Sequence, residues 1–461
     1  MSVFIVDPAT RPLSGTIDVP GDKSLGHRAL LFSLLTRAPV RIRGLGGGAD
    51  NGRTARAITQ LGATVTRDGD AVVVQGTGLR AMQAPAAAID CGNSGTTIRM
   101  LCGLLAGQPF RSELFGDESL SKRPMRRVID PLRAMGAHIT GAGSTSGQSD
   151  DGGASADVVP PLAIGPLSER LRGADHGLAI ASAQVKTALI LAGLQAGGVT
   201  RITEPGPSRD HTERLLAAMG APITTRGREV IVSPDAWSEA GAALELPGGA
   251  IDVPGDPSSS AFLVAAALVA GADTVVCRGV CVNPTRTGFL DVLAAMGASI
   301  AIENPRDVGG EPVADLVIRG AAPELRATEV SGDVTVRAID EVPILAAIAS
   351  RAKGVTVFRD AEELRVKESD RIATTVAMLR AFGVECEARP DGLVVAGTPG
   401  RPLSPGRVDS ASDHRIAMAG SILALAAGGP SRIDDVGNVA TSFPSFVSVM
   451  STLGASLHQE P

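Results

Sequence analysis

A chain of 461 residues exceeds what one ordinary hydrophobic core accommodates, so two domains are expected. Hydrophobic residues are 44% and charged residues 20%, and the longest strongly apolar stretch, Ala261 to Ala272, is too short to span a bilayer, which excludes a membrane-spanning class and predicts a soluble protein. A net charge of −6, one Trp and no Tyr argue against a nucleic-acid partner, which would ask for basic surface and stacking aromatics.

In chain order, Met1-Ser2-Val3-Phe4-Ile5-Val6-Asp7 has no basic segment and no long apolar run, so it reads as a first strand rather than a signal peptide. Ile17-Asp18-Val19-Pro20-Gly21-Asp22 then leads into Lys23-Ser24-Leu25-Gly26-His27-Arg28, a polar opening to the apolar run Ala29 to Leu35. Gly44-Leu45-Gly46-Gly47-Gly48 lacks the Lys-Ser/Thr of a phosphate-binding loop and reads as a turn. Cys91-Gly92-Asn93-Ser94-Gly95-Thr96-Thr97 opens a second apolar run, Ile98 to Ala106. Lys122-Arg123-Pro124-Met125-Arg126-Arg127 predicts a helix start with proline at the first helical position. Gly141 to Ala156, mostly Gly, Ser, Asp and Ala with no periodicity, reads as a surface loop. Ser182-Ala183-Gln184 opens a third run, Val185 to Leu194.

In the second half, Ile251-Asp252-Val253-Pro254-Gly255-Asp256 repeats the earlier hexapeptide and enters Pro257-Ser258-Ser259-Ser260, whose serines are expected to be ordinary helix caps. Cys277 and Cys281 have no second pair or nearby His to complete a zinc site. All five cysteines are scattered, as suits a reducing compartment, and the six histidines are dispersed, so no metal is expected. Asp340-Glu341-Val342-Pro343 opens another helix. Leu364 to Arg371 runs into an apolar helix; if the segment is itself helical, Lys367 and Arg371 share a face at i, i+4 and Glu368 lies beside Arg371 at i, i+3. Asp413-His414-Arg415 opens the last apolar run, Ile416 to Ala427.

An apolar helix end, a glycine and a short strand recur six times, with the glycines at Gly62, Gly136, Gly220, Gly297, Gly383 and Gly454. The period is about 77 residues, one sixth of the chain. Each glycine suits the left-handed position that ends a helix. With the repeated hexapeptide, this predicts two homologous halves of three units each: residues 22–250, and residues 251–461 together with the N-terminal strand segment 1–21. The polar openings fall at helix N-termini, which attract anions. Lys23, Arg28, Arg99 and Arg415 add cations that capping does not need, although Arg99 also suits a structural ion pair.

Read together, Gly21-Asp22-Lys23-Ser24, Gly92-Asn93-Ser94-Gly95-Thr96, Lys122-Arg123-Pro124, Ser182-Ala183-Gln184, Lys367-Glu368-Ser369-Asp370-Arg371 and Asp413-His414-Arg415 resemble the 5-enolpyruvylshikimate-3-phosphate (EPSP) synthase family, in the family's order and over nearly the whole chain. The resemblance implies an α/β fold of two similar domains, each of three βαβαββ units around a helix bundle, with the active site in the interdomain cleft. It implies a cytoplasmic, monomeric transferase without cofactor, moving the enolpyruvyl group of phosphoenolpyruvate to the 5-hydroxyl of shikimate 3-phosphate on the route to chorismate.

By the same resemblance, Lys23, Ser24, Arg28, Ser182, Ala183, Gln184, Ser208, Arg209, Asp340 and Lys367 bind shikimate 3-phosphate. Lys23, Asn93, Gly95, Arg123, Gln184, Arg371 and Arg415 bind phosphoenolpyruvate, and Asp340, Glu368, Lys367 and Lys23 are catalytic. Ala183 replaces a second serine found in many members, and Thr441 replaces a lysine. Gly95 is the residue expected in members open to the inhibitor glyphosate. Two other classes of protein share part of this pattern. An enolpyruvyl transferase acting on UDP-N-acetylglucosamine would use a loop Cys and lack Lys-Glu-Ser-Asp-Arg. A non-catalytic binder of phosphorylated metabolites would not need Asp340 and Glu368.

Overall fold

Apolar runs without a polar face must be buried on all sides, and each of the Ala/Leu-rich segments forms the inside of a helix bundle. The computed structural model describes residues 2–143, 157–235, 243–320 and 324–460. Its contacts divide the chain into two units. One comprises Met1–Asp22, Gly46–Gly48 and Pro254–Pro461, and the other Lys23–Leu45 and Ala49–Val253. The architecture is α/β, with six four-stranded sheets among the described residues. None of the described helices is long and apolar enough to cross a membrane.

All six sheets are built alike. The strand that follows each repeat glycine lies at one edge and pairs antiparallel with its neighbour: Thr64–Asp68, Ile139–Ala142, Ile223–Arg226, Ile300–Val308, Cys386–Arg389 and Leu457–Glu460. The strand at the opposite edge pairs parallel with its neighbour in every case. The six glycines all have positive φ, from 73° at Gly220 to 103° at Gly62, which a side chain would resist.

In the first unit the N-terminal strand Val3–Val6 lies between Ser431–Asp434 and Leu457–Glu460. Leu13–Asp18 adds to Ala272–Cys281. The helices Pro257–Ala270, Val342–Ala349, Arg371–Ala381 and His414–Ala424 pack together beneath these sheets. From Ser258 to Leu268 every residue of the first of them is buried. In the other unit Lys23–Leu34, Gly95–Leu105 and Ala183–Gly193 do the same. A Cβ at Gly103 would lie 2.0 Å from the Ala188 carbonyl oxygen, so the last two helices approach only because that residue is glycine. A buried chain of bonds, His27 Nδ1 to Thr54 Oγ1, Thr54 to Thr97 and Thr97 to Ser94 Oγ, links the Lys23–Leu34 and Gly95–Leu105 helices through Thr54 at 2.7–2.8 Å.

Local structure departs from expectation at four places. Pro124 does not open a helix: Arg123 is extended, as a residue before proline prefers, and the helix begins at Arg126. Lys367 to Asp370 is irregular, because the Asp370 side chain accepts from Ile372 N and Ala373 N and so starts the helix at Arg371. Ser258, Ser259 and Ser260 do not cap their helix. Asp256 does, accepting from Ser258 N at 2.8 Å, and this frees Ser258 for other partners. Gly141 and Ala142, expected in a loop, end the strand Ile139–Ala142, and residues 144–156 of that loop lie outside the described residues.

Candidate active site

A helix N-terminus already carries partial positive charge, so placing Lys or Arg there costs stability unless carboxylates or a bound anion offset it. Each unit concentrates such a cost. In the Lys23–Leu45/Ala49–Val253 unit, Lys23 is the first residue of its helix and its Nζ lies 3.2 Å from Asp50 Oδ2. Arg209 donates to Ser24 Oγ at 3.1 Å. Arg28 stands behind Ser24, only 2% exposed, and donates to the Ser24 carbonyl, Thr187 Oγ1 and Thr212 Oγ1. Ser208 is buried, and its Oγ meets no acceptor or donor among the described residues.

A second group in this unit surrounds the Gly95 helix, whose N-cap Ser94 accepts from Thr97 N. Arg123 Nη2 donates to Asn93 Oδ1 at 2.7 Å, and Asn93 Nδ2 to Asp117 Oδ2 at 2.8 Å. Arg99 donates to Gln184 Oε1 at 2.8 Å and to the Gly95 and Pro124 carbonyls. Gln184 returns a bond to Thr96 Oγ1 at 2.9 Å. Gly95 sits under both guanidiniums, since a Cβ there would lie 2.7 Å from Arg99 Nη1 and 3.1 Å from Arg123 Nη1. Ser182 caps its own helix, and its backbone N–H donates to Glu204 Oε1 at 3.2 Å. Behind it, Lys186 is buried between Glu204 at 2.6 Å and Glu213 at 2.7 Å. Burial alone would lower the Lys186 pKa, but Glu213 and Glu204 outweigh it and hold it above the usual lysine value.

In the Pro254–Pro461 unit, Arg371 is 1% exposed and gathers three carboxylates: Asp413 at 2.8 Å, Asp340 at 3.3 Å and Glu368. Lys367 Nζ stands 3.7 Å from Asp340 Oδ1, so Asp340, Lys367, Glu368 and Arg371 form one cluster although Lys367 and Glu368 precede the helix. Burial opposes the Arg371 charge, but Asp413, Glu368 and Asp340 raise its pKa well above the ordinary value. Arg415 donates to the Asp340 carbonyl at 2.6 Å, to Glu341 Oε1 at 3.3 Å and to Ser258 Oγ at 3.1 Å. Ala183 and Thr441 lend no charge: Ala183 is the first residue of its helix, and Thr441 donates to the Asn438 carbonyl.

Sequence reasoning named Arg371 and Arg415 together with Asp340 and Glu368, but it did not single out Asp413, Ser258 and Glu341, which also hold them. Asp413 caps the His414 helix through Arg415 N at 2.9 Å and also accepts from Ser369 and Arg371. Its place in the Asp-His-Arg phrase was a signal. Ser258, Glu341 and Lys186 gave none, because a serine, a glutamate or a lysine beside a helix start is commonplace.

Burial and the nearby Glu368 push the Asp413 carboxyl up, while Arg371 and His414 outweigh them and hold it below the usual carboxylate range. A carboxyl lowered on folding stabilises the protein above its unfolded value, about 4, and that stability is lost as pH falls through the lower folded value. Asp413→Asn is therefore expected to flatten the decline of melting temperature with pH below about 4 relative to wild type. Parallel melting curves for the two proteins across that range would contradict the pairing.

The family model for EPSP synthase (3-phosphoshikimate 1-carboxyvinyltransferase) matches residues 8–450. The chain belongs to the EPSP synthase family. A 3-phosphoshikimate 1-carboxyvinyltransferase of Anaeromyxobacter sp. (strain Fw109-5) is 47% identical over 443 residues, 96% of each chain. One from Brevibacillus brevis is 46% identical over 436 residues, 95% of this chain and 96% of the relative. Among solved structures, EPSP synthase from Acinetobacter baumannii aligns with a TM-score of 0.84 at 38% identity over 100% of both chains. The six sheets and two bundles are those of the enolpyruvyl-transferase fold.

Proposed function

We propose that the protein transfers the 1-carboxyvinyl group of phosphoenolpyruvate to the 5-hydroxyl of shikimate 3-phosphate and releases phosphate. It is a transferase of the shikimate pathway. The observation that carries the mechanism is the cluster in which Asp340 Oδ1 meets both Lys367 and Arg371. Both substrates bear phosphate and carboxylate, so their recognition asks for several cations, with Arg suited to planar bidentate contact.

In this reading Lys23, Ser24, Arg28, Ser182, Gln184, Ser208 and Arg209 receive shikimate 3-phosphate. Ser208 brings a buried hydroxyl that no protein group among the described residues satisfies. Asn93, Gly95, Arg123, Gln184, Arg371 and Arg415, with Lys23, receive phosphoenolpyruvate. Asp340 takes the 5-hydroxyl proton as that oxygen attacks C2 of phosphoenolpyruvate. Lys367 or Glu368 gives a proton to the methylene carbon, forming a tetrahedral intermediate. The same group then takes a proton back from that carbon, which restores the double bond as the C2–O bond breaks and phosphate leaves. We further read the protein as a cytoplasmic monomer.

The deciding experiment measures phosphate release from phosphoenolpyruvate with shikimate 3-phosphate, and in parallel with UDP-N-acetylglucosamine, with Lys23→Ala as control. Release with shikimate 3-phosphate alone, lost in the control, is the expected result. Release with the nucleotide sugar instead would overturn the reading. The Gly95→Ala variant is expected to raise the KM for phosphoenolpyruvate several-fold, because the added Cβ displaces Arg99 and Arg123. A KM equal to that of wild type would remove Gly95 and Arg123 from the phosphoenolpyruvate site.

A further inference from the structure

The repeated hexapeptide has no part in the mechanism above, yet its two copies are brought together. Gly21 and Gly255 form an antiparallel bridge, Asp22 N donates to the Pro254 carbonyl, and Asp256 N to the Pro20 carbonyl, both at 2.8 Å. The approach is close enough that a Cβ on Gly255 would lie 2.8 Å from Val19 Cβ. Each copy ends in a buried aspartate, and one arginine holds both. Arg286 Nη1 donates to Asp22 Oδ2 at 2.8 Å and Nη2 to Asp256 Oδ1 at 3.1 Å. Arg286 is 2% exposed and comes from a loop locked by Asn283, which donates to Glu311 and accepts from Thr285 N.

The same Nη2 donates to Ser258 Oγ at 3.0 Å. Ser258 also bonds Glu341 Oε1 and accepts from Arg415 Nη2 at 3.1 Å. Arg415 in turn holds the Asp340 carbonyl at 2.6 Å. A serine hydroxyl has one proton and two lone pairs. Here the proton goes to Glu341, and the lone pairs face the two arginines. The hydroxyl is saturated and its rotor has one setting.

We propose that Arg286 is a positioning residue for the reaction: by clamping Asp22, Asp256 and Ser258 it sets, through Ser258 and Glu341, the orientation of Arg415 and of the Asp340 backbone. Burial opposes its charge, but Asp22, Asp256 and Glu341 outweigh that and hold the Arg286 pKa above the ordinary value. The inference rests on the functional reading of Arg415 as a phosphoenolpyruvate ligand.

The test compares wild type, Ser258→Ala and Arg286→Lys in the phosphate-release assay, at a temperature where circular dichroism shows each folded. Ser258→Ala changes no charge and removes one atom, so it reports even if Arg286→Lys does not fold. The expected result is a KM for phosphoenolpyruvate raised about tenfold in Ser258→Ala, the usual scale of a charge-assisted hydrogen bond, with the KM for shikimate 3-phosphate within about twofold of wild type. Arg286→Lys offers one point charge for three acceptors and is expected to move the same constant further. Variants that only melt earlier and keep the wild-type KM for phosphoenolpyruvate, or that weaken both substrates equally, overturn the proposal. A wild-type protein that releases no phosphate overturns the functional reading instead.

Discussion

Replacing Asp340 by Asn is expected to lower kcat by about 10²- to 10⁴-fold, the scale of a lost general base, with the KM for phosphoenolpyruvate changed far less. The amide keeps an oxygen where Oδ1 now accepts from Arg371 and faces Lys367, so the cluster retains its shape while losing the group that takes a proton. Asp340→Ala is expected to reach the same low turnover. Single-turnover phosphate release separates the chemical step from binding. Near-normal turnover in both variants would remove Asp340 from the role of base and leave it a partner that orders Arg371.

The second large effect concerns stability. Lys186→Met is expected to cost about 3–5 kcal/mol, because it leaves two buried carboxylates facing each other without a cation. Glu204 and Glu213 are 6% and 7% exposed, so water offers them little relief. Adding Glu204→Gln and Glu213→Gln to Lys186→Met is expected to restore most of the loss, as neutral replacements of a buried ion group do. Denaturant unfolding of the single and triple variants measures both. A loss below about 1 kcal/mol in the single variant would mean that the triad behaves like a solvated surface pair. The triad is tied to the candidate site as well, since Glu204 also accepts from the N–H of Ser182 at the start of the Gln184 helix.

Much of the architecture was legible from short-range patterns. A glycine that ends a helix is a local requirement, and all six repeat glycines have positive φ. The strand after each one is an edge strand in its sheet, so one pattern reported six copies of a supersecondary unit. Apolar runs identified the bundle helices for the same reason: a helix with no polar face has one place to go. Local competition was harder to foresee. Asp256 and Asp370 took the caps, which displaced the serines after Asp256 and shortened the helix expected before Arg371.

The chain's sequence by itself determined the family, the six units and the stock of acids and bases at the helix starts, because those depend on residue type and spacing within a few turns. The tertiary structure alone decided which acid meets which base. Arg415 reaches Ser258 across 157 residues and the Asp340 carbonyl across 75, and Arg286 joins aspartates from two chain segments. Such partners are chosen by where folded helices and loops place their side chains in three dimensions, and a buried charge keeps only the partners that geometry delivers.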